Sequence, residues 1–360
     1  MPTLDDLLRD TVAADASDLY LLAGTEPRVR VKAQGRPLPR PVLGAAEVDA
    51  LARSVLTSEQ AAAFETQPEI NLAWNAPGIG RFRINIFRER GHTGLVARHV
   101  KETVPAPEAL GLPQAARELA LLPRGLVIIA GASGSGKSTS LASLVQFRAQ
   151  ERSGHILTVE DPIEFVFHHA QSTIAQREVG SDTQSYAEAM RNAMRQAPDV
   201  IVLGEIRDRE SMEQAINYAE TGQLCLSTLH AANASQALKR IVNFFPEHQQ
   251  AQIRLDLALN LQAILSQRLL PPAAPEAPPV LCTELLLRSA HIADLIDKGA
   301  VDDIRLAIEK SAALGMHTFD QDLLQLVQAG RITPETALRQ ADSRTDLAVR
   351  MRIHSGYDPR

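Results

Sequence analysis

The run Gly131-Ala132-Ser133-Gly134-Ser135-Gly136-Lys137-Ser138, followed by Thr139, has the residue types and spacing that hold a nucleotide's phosphates. Backbone N–H groups must close around the phosphate oxygens, and residues without a Cβ let the chain approach that tightly. Lys137 would set its ammonium on the β- and γ-phosphates, and the Ser138 hydroxyl would hold Mg²⁺. Such a loop must join a strand to a helix. Gly125-Leu126-Val127-Ile128-Ile129-Ala130 reads as a buried parallel strand, and Thr139 to Val145 has the apolar spacing of a helix. A Gly/Ser-rich turn is the competing reading, and the complete motif with both flanks argues against it.

Three further segments follow in an order that suits an ATP-hydrolysing site. Thr158-Val159-Glu160-Asp161-Pro162-Ile163-Glu164 stands at the end of a second strand. Ligands sit at the carboxyl edge of parallel sheets, so carboxylates there can position a water. Alone, such acids are as often solvated turn residues. In Asp199-Val200-Ile201-Val202-Leu203-Gly204-Glu205, four apolar residues deliver a carboxylate to the metal. The acid follows a glycine, as Glu205, where the generic pattern ends in Asp. Thr221 to His230 closes on Thr228-Leu229-His230, which puts a hydroxyl and an imidazole at a strand terminus. A γ-phosphate sensor could sit there, although a lone histidine is more often structural.

The elements that must position these residues are also legible. Residues 1–100 read as a separate α/β unit, with helices at 4–14, 47–56 and 59–64 and strands at 19–22, 28–31, 70–74 and 80–89. Thr57 and Ser58 can cap the third helix. Residues 101–123 read as a proline-marked linker. Over 124–272, strands at 126–130, 156–159, 200–203 and 224–229 alternate with helices such as 184–196 and 210–220, the pattern of a parallel α/β domain. The stripe Ile253, Leu257, Leu261, Ile264 and Leu265 predicts one core-facing helix over 249–266. Pro271 to Pro279 is a stiff surface loop. The remainder, 273–360, reads as mostly helical, with Thr333-Pro334 as N-cap and first residue of the last helix but one.

Of the 360 residues, 45% are apolar and 22% charged, enough for real cores and unlike a disordered chain. The net charge of −6 argues against a dedicated nucleic-acid partner. Cys225 and Cys282 lack metal-ligand spacing, which suits a reducing cytosol. No apolar run approaches the ~20 residues of a membrane span, and the acidic start lacks a signal-peptide layout. A soluble, intracellular protein is expected.

In their order these motifs resemble the secretion-superfamily ATPases of type II secretion and type IV pili. The residues 160–164, 199–205 and 221–230 match that family's Asp box, atypical Walker B and His box. Ala16-Ser17-Asp18-Leu19-Tyr20, Gly80 to Phe87, Gln176-Arg177-Glu178-Val179-Gly180 and Ser266-Gln267-Arg268-Leu269-Leu270-Pro271 are similar to the pilus retraction ATPases of the PilT/PilU group. Gly204 to Glu210, Cys225 to Ala231 and Gly315-Met316-His317-Thr318-Phe319-Asp320 look most like its PilU branch. PilT-type sequences carry an Ala-Ile-Arg-Asn-Leu-Ile-Arg segment linked to retraction, and His291 to Gly299 replaces both of its arginines.

The resemblance implies an α/β fold in which a small PAS-like α/β domain precedes a RecA-like P-loop ATPase domain and a helical carboxyl-terminal region follows. It implies ATP and Mg²⁺ as cofactors, with Ser138 and Glu205 as metal residues. It implies Glu164 as the glutamate orienting the attacking water, with Glu160 as the alternative, and His230 as the γ-phosphate reader. Arg81, Arg83 and Arg98 resemble arginines that reach a nucleotide at a domain or subunit boundary. Residue spacing alone would put them on a strand's solvent face. Arg191 and Arg195 are weaker candidates of the same kind. The implied partners are further copies in a hexamer, a PilT-type retraction ATPase and the inner-membrane pilus platform protein, at the cytoplasmic base of the pilus. An accessory subunit without motor action, or a secretion or DNA-uptake ATPase, are the alternatives.

Overall fold

The computed structural model describes residues 2–32 and 34–355, and the chain divides into two compact units. One comprises Met1–Thr103 with Ile163–Val166, the other Val104–Pro162 with Phe167–Arg360.

In the first unit, strands β1 (Asp18–Leu21), β2 (Arg28–Val31), β3 (Gln34–Pro37), β4 (Glu69–Ala76), β5 (Gly80–Glu89) and β6 (His92–His99) form an antiparallel sheet in the order β3-β2-β1-β6-β5-β4. Helices Leu4–Ala13, Ala45–Arg53 and Ser58–Thr66 supply the rest of its core. Two of these helices begin on reciprocal caps, Thr3 with Asp6 and Thr57 with Gln60, which satisfy N–H groups that have no partner within the helix. Alternation sends Phe82, Ile84 and Ile86 of β5 into a core with Leu7, Leu8, Val48, Leu51 and Phe64. Arg81 and Arg83 therefore lie on the opposite face of the sheet. Strands β3 and β6 go beyond the elements expected from the sequence. All four residues of β3 are exposed, and β6 hides its inward set, Thr93, Leu95 and Ala97, among histidines, glycine and arginine.

In the second unit, β7 (Gly125–Ala130), β8 (Gly154–Glu160), β9 (Ser172–Glu178), β10 (Val200–Leu203), β11 (Leu224–Leu229), β12 (Leu261–Leu270) and β13 (Val280–Leu287) form one sheet, ordered β13-β12-β7-β11-β10-β8-β9. Every neighbouring pair is parallel except β12 with β13. β7, β10 and β11 are buried at every position, as central strands of a two-sided sheet must be. Leu126, Ile128 and Ala130 face a layer holding Met212, Ile216, Leu238, Ile241 and Leu257. Val127 and Ile129 face Ala116, Leu141, Leu144 and Val145 on the other side.

The expected 249–266 helix is two elements. The helix runs Glu247–Asn260 and the chain then becomes β12, so Ile253 and Leu257 lie on the helix while Leu261, Ile264 and Leu265 lie on the strand. Burial of Ala263 to Gln267 at consecutive positions produces an apolar run whose periodicity fits either structure. The region after the proline loop also begins with a strand, because β13 extends the sheet beyond residue 272. Helices Ala290–Asp297, Ile304–Lys310, Phe319–Gln328, Pro334–Gln340 and Arg344–Ser355 then complete the helical carboxyl-terminal region, with Thr333 as N-cap before Pro334. Among the described residues, no helix is long and apolar enough to cross a membrane.

Candidate nucleotide site

The strand order puts the motifs at one edge. β7, β11, β10 and β8 are consecutive parallel neighbours, so the segments leaving their carboxyl ends must meet: the glycine loop, His230, Glu205 and Glu160-Asp161. Lys137 opens the helix Lys137–Glu151, and Gly134 and Gly136 before it take positive φ of 76° and 86°. The first-turn N–H groups of such a helix lack intrahelical acceptors and face the loop, which suits an anion. Lys137 is 8% exposed and its Nζ donates to the Ala132 carbonyl at 2.9 Å. Burial pushes its ammonium below the usual lysine range, while the nearby Glu205 charge opposes that shift. Ala132, Ser133, Gly134 and Ser138 are exposed.

The backbone on either side of Glu205 is pinned to two neighbouring strands, β8 and β11. Gly204 N–H donates to the Val159 carbonyl at 2.9 Å, Ile206 N–H to the Thr228 carbonyl at 2.9 Å, and Thr228 Oγ1 to the Gly204 carbonyl at 2.8 Å. A Cβ at 204 would stand 3.4 Å from Glu160 Cα and from the Val159 carbonyl oxygen. A side chain at 204 would therefore pack directly against the end of β8. The Glu205 carboxylate accepts from Arg207 Nε at 2.7 Å and lies 3.0 Å from His230 Nε2. Arg207 also reaches Asp161 at 3.3 Å, and its bond to Glu205 holds its guanidinium above the ordinary arginine value.

The two carboxylates left as alternatives by the sequence fall in different units. Glu160 accepts from Thr158 Oγ1 at 2.7 Å and from Gln176 Nε2 at 3.1 Å, within the P-loop unit. Glu164 belongs to the amino-terminal unit, where its half-exposed carboxylate lies 3.2 Å from Arg83 Nη2. Arg83 also donates from Nε to the Ile163 carbonyl at 3.1 Å. Arg83 and Arg98 are direct cross-strand partners on β5 and β6, a like-charge pairing that is unfavourable alone. Glu164 on Arg83 and Asp18 on Arg98, the latter at 2.7 Å, offset it. Arg81 donates to Asn75 at 3.3 Å. Arg191 and Arg195 are exposed on separate helical turns, Arg195 lying on a short 3₁₀ segment after the α-helix.

Two residues at this edge had no role assigned from sequence: Arg207, inside a quoted motif, and Glu284, which had no motif around it. Glu284 on β13 is 2% exposed and accepts the Ala234 N–H at 2.8 Å, at the start of the helix that follows His230. Burial raises its carboxyl from 4.5 to about 7. A carboxyl raised in the folded state stabilises most at low pH, and that contribution is lost as pH climbs from its unfolded value toward 7. Above pH 7 the native state carries a buried charge costing on the order of 3 kcal/mol. Glu284→Gln keeps the acceptor without the charge. Its melting temperature is expected to exceed that of the native chain at pH 8 and to match it near pH 4.5. Equal melting at pH 8 would contradict this assignment.

A parallel sheet with a glycine loop at its centre, a lysine beside a carboxylate, and a histidine on that carboxylate define a P-loop ATPase. The profile of the family described as Type II/IV secretion system protein matches residues 107–317, and the chain belongs to that family. It is 43% identical to the type IV pilus ATPase PilU of Pseudomonas aeruginosa, over 98% of this chain and 92% of that protein. It is 36% identical to the type IV pilus retraction ATPase PilT of the same organism, over 94% and 98%. The solved structure of the pilus retraction motor PilT with bound ADP superposes with a TM-score of 0.88 at 36% identity, covering 96% of this chain and 99% of that one. The chain is therefore an ATPase of the PilT/PilU group, with the α/β architecture that the motifs imply.

Proposed function

We propose that this chain is a PilU-like motor subunit that hydrolyses ATP to support type IV pilus retraction and twitching motility, alongside a PilT-type motor. The observation that carries this reading is the intact Lys137–Glu205–His230 arrangement in a chain spanning nearly the whole of PilU. An unused nucleotide fold would have no need of a half-buried acid whose flanking backbone is pinned to both neighbouring strands.

The residues fit Mg²⁺ as well as nucleotide. In phosphate sites this ion keeps several waters and takes only one or two protein oxygens. Ser138, exposed at the helix start after β7, and Glu205, at the end of β10 one strand removed, offer such a pair. Mg²⁺ held there would neutralise charge on the phosphates. Lys137 binds the β- and γ-phosphates, His230 reads the γ-phosphate through its contact to Glu205, and Glu164 orients the attacking water. Arg81, Arg83 and Arg98 serve the transition state in an assembled ring of six copies. Such arginines are worth ~10³–10⁵ in rate where they act.

Partnership with a PilT-type motor rests on residues 291–299. In the helix Ala290–Asp297, Ala293 and Asp297 stand where PilT-type sequences have arginines, and Asp294 between them pairs with Lys298 at 2.8 Å. Neither replacement offers the planar, bidentate donors of a guanidinium, and Asp297 reverses the charge. Recruitment to the inner-membrane platform protein, at the cytoplasmic base of the pilus, completes the proposal. The test is pilus retraction in strains lacking this gene, the PilT-type gene, or both. Loss of this chain is expected to weaken retraction, and loss of the PilT-type motor to stop it. Normal retraction through this chain alone would make it an independent motor.

A further inference from the structure

Gln267 lies on β12, whose register with β7 pairs Ser266 with Ala130, the last strand residue before the glycine loop. Its position therefore follows from topology: the next residue along β12 must stand against the loop's first turn. It is 1% exposed. Its Nε2 donates to the Ser135 carbonyl at 2.7 Å, inside the loop. Its own backbone carbonyl oxygen would stand 2.8 Å from a Cβ at 131, and its Nε2 3.3 Å from a Cβ at 136. One side chain and its backbone thus fill the space behind Gly131, Ser135 and Gly136. A Cβ at 131 would also meet Ser135 Oγ, and Gly136 takes a positive φ of 86°, so β12 confines Gly131 together with the loop itself while the backbone conformation selects glycine at 136. The strand is itself fixed at the next residue, where Arg268 donates to the Gln340 carbonyl at 2.5 Å and Asp342 at 2.7 Å, and stacks 3.8 Å over the Phe319 ring.

We propose that Gln267 is a positioning residue of the nucleotide site, holding the loop between residues 131 and 136 in its phosphate-binding shape through the Ser135 carbonyl. It touches no phosphate. Its amide fixes the carbonyl of the peptide that carries the Gly136 N–H, and so aims that N–H toward the anion. A loop set in advance loses less conformational freedom on binding. Removing the amide should therefore weaken nucleotide binding while sparing the chemical step.

This rests on the loop being the nucleotide site, so Lys137→Ala is the control. In the purified full-length protein, Gln267→Met keeps the side chain's length and apolar stem and loses the donor. Binding of a fluorescent N-methylanthraniloyl ADP and the KM for ATP are expected to weaken on the order of tenfold. The kcat is expected to stay within about twofold and the melting temperature near that of the native chain. Gln267→Asn, which withdraws the amide by one methylene, should shift KM in the same direction and decides the matter if Gln267→Met does not fold. Unchanged KM and ADP affinity in a folded variant would overturn the proposal, as would a fall in kcat without a rise in KM. If the native chain and Lys137→Ala bind the ADP probe alike, the nucleotide-site reading fails first. If Lys137→Ala alone loses binding, only the role of Gln267 fails.

Discussion

Lys137→Ala is expected to lose ATP binding by about two orders of magnitude and to bring hydrolysis to background. No other cation lies in the loop, and charge-assisted contacts to phosphate are about twice as strong as neutral ones. Lys137 also lies within electrostatic reach of Glu205, whose negative charge favours its ammonium form. Removing it leaves that carboxylate with Arg207 and His230 alone. The check is equilibrium binding of fluorescent ADP together with steady-state turnover. A melting curve like that of the native chain would show that the loss arises at the site, since the helix start keeps its backbone bonds. Retained binding would remove Lys137 from its assigned role.

Glu164→Gln is expected to retain ADP binding and to lower kcat by about 10²–10⁴, the range for loss of a positioned general base. The amide has the same shape but cannot accept a proton or polarise water as a carboxylate does. Arg83→Ala should act on kcat as well, because Arg83 both pairs with Glu164 and holds the Ile163 carbonyl. Glu160→Gln distinguishes the two acids. Glu160 is engaged by the Thr158 hydroxyl and the Gln176 amide, so its loss is expected to cost less turnover than that of Glu164. A larger fall for Glu160→Gln than for Glu164→Gln, measured as kcat at saturating ATP, would exchange their roles.

The parts of the site that were legible in the sequence are those whose chemistry demands a fixed spacing. The glycine loop, Glu205 and His230 each follow a short apolar run, and the observed strand order makes those runs consecutive in the sheet. Contacts between distant segments were not legible. Nothing in the string of residues says that Gln267 will meet Ser135, 132 positions away, or that Glu284 will cap the helix after His230. Both follow from β12 and β13 joining the sheet beside β7, and the first of these strands reads as a helix because Leu261, Ile264 and Leu265 fit a 3.6-residue stripe. The amino-terminal arginines show the same limit. Alternation along β5 places Arg81 and Arg83 off the core face, but only the register shows Arg83 opposite Arg98, each with its own carboxylate.

Whether ATP turnover by this chain itself contributes to retraction is tested most directly by imaging labelled pili in cells with an intact PilT-type motor, in which the native gene is replaced by the Lys137→Ala allele at equal protein level. The account predicts that retraction under load falls to the level of the deletion strain. Retraction indistinguishable from that of the native allele would contradict it, and would make the chain an accessory that supports the motor without hydrolysing ATP.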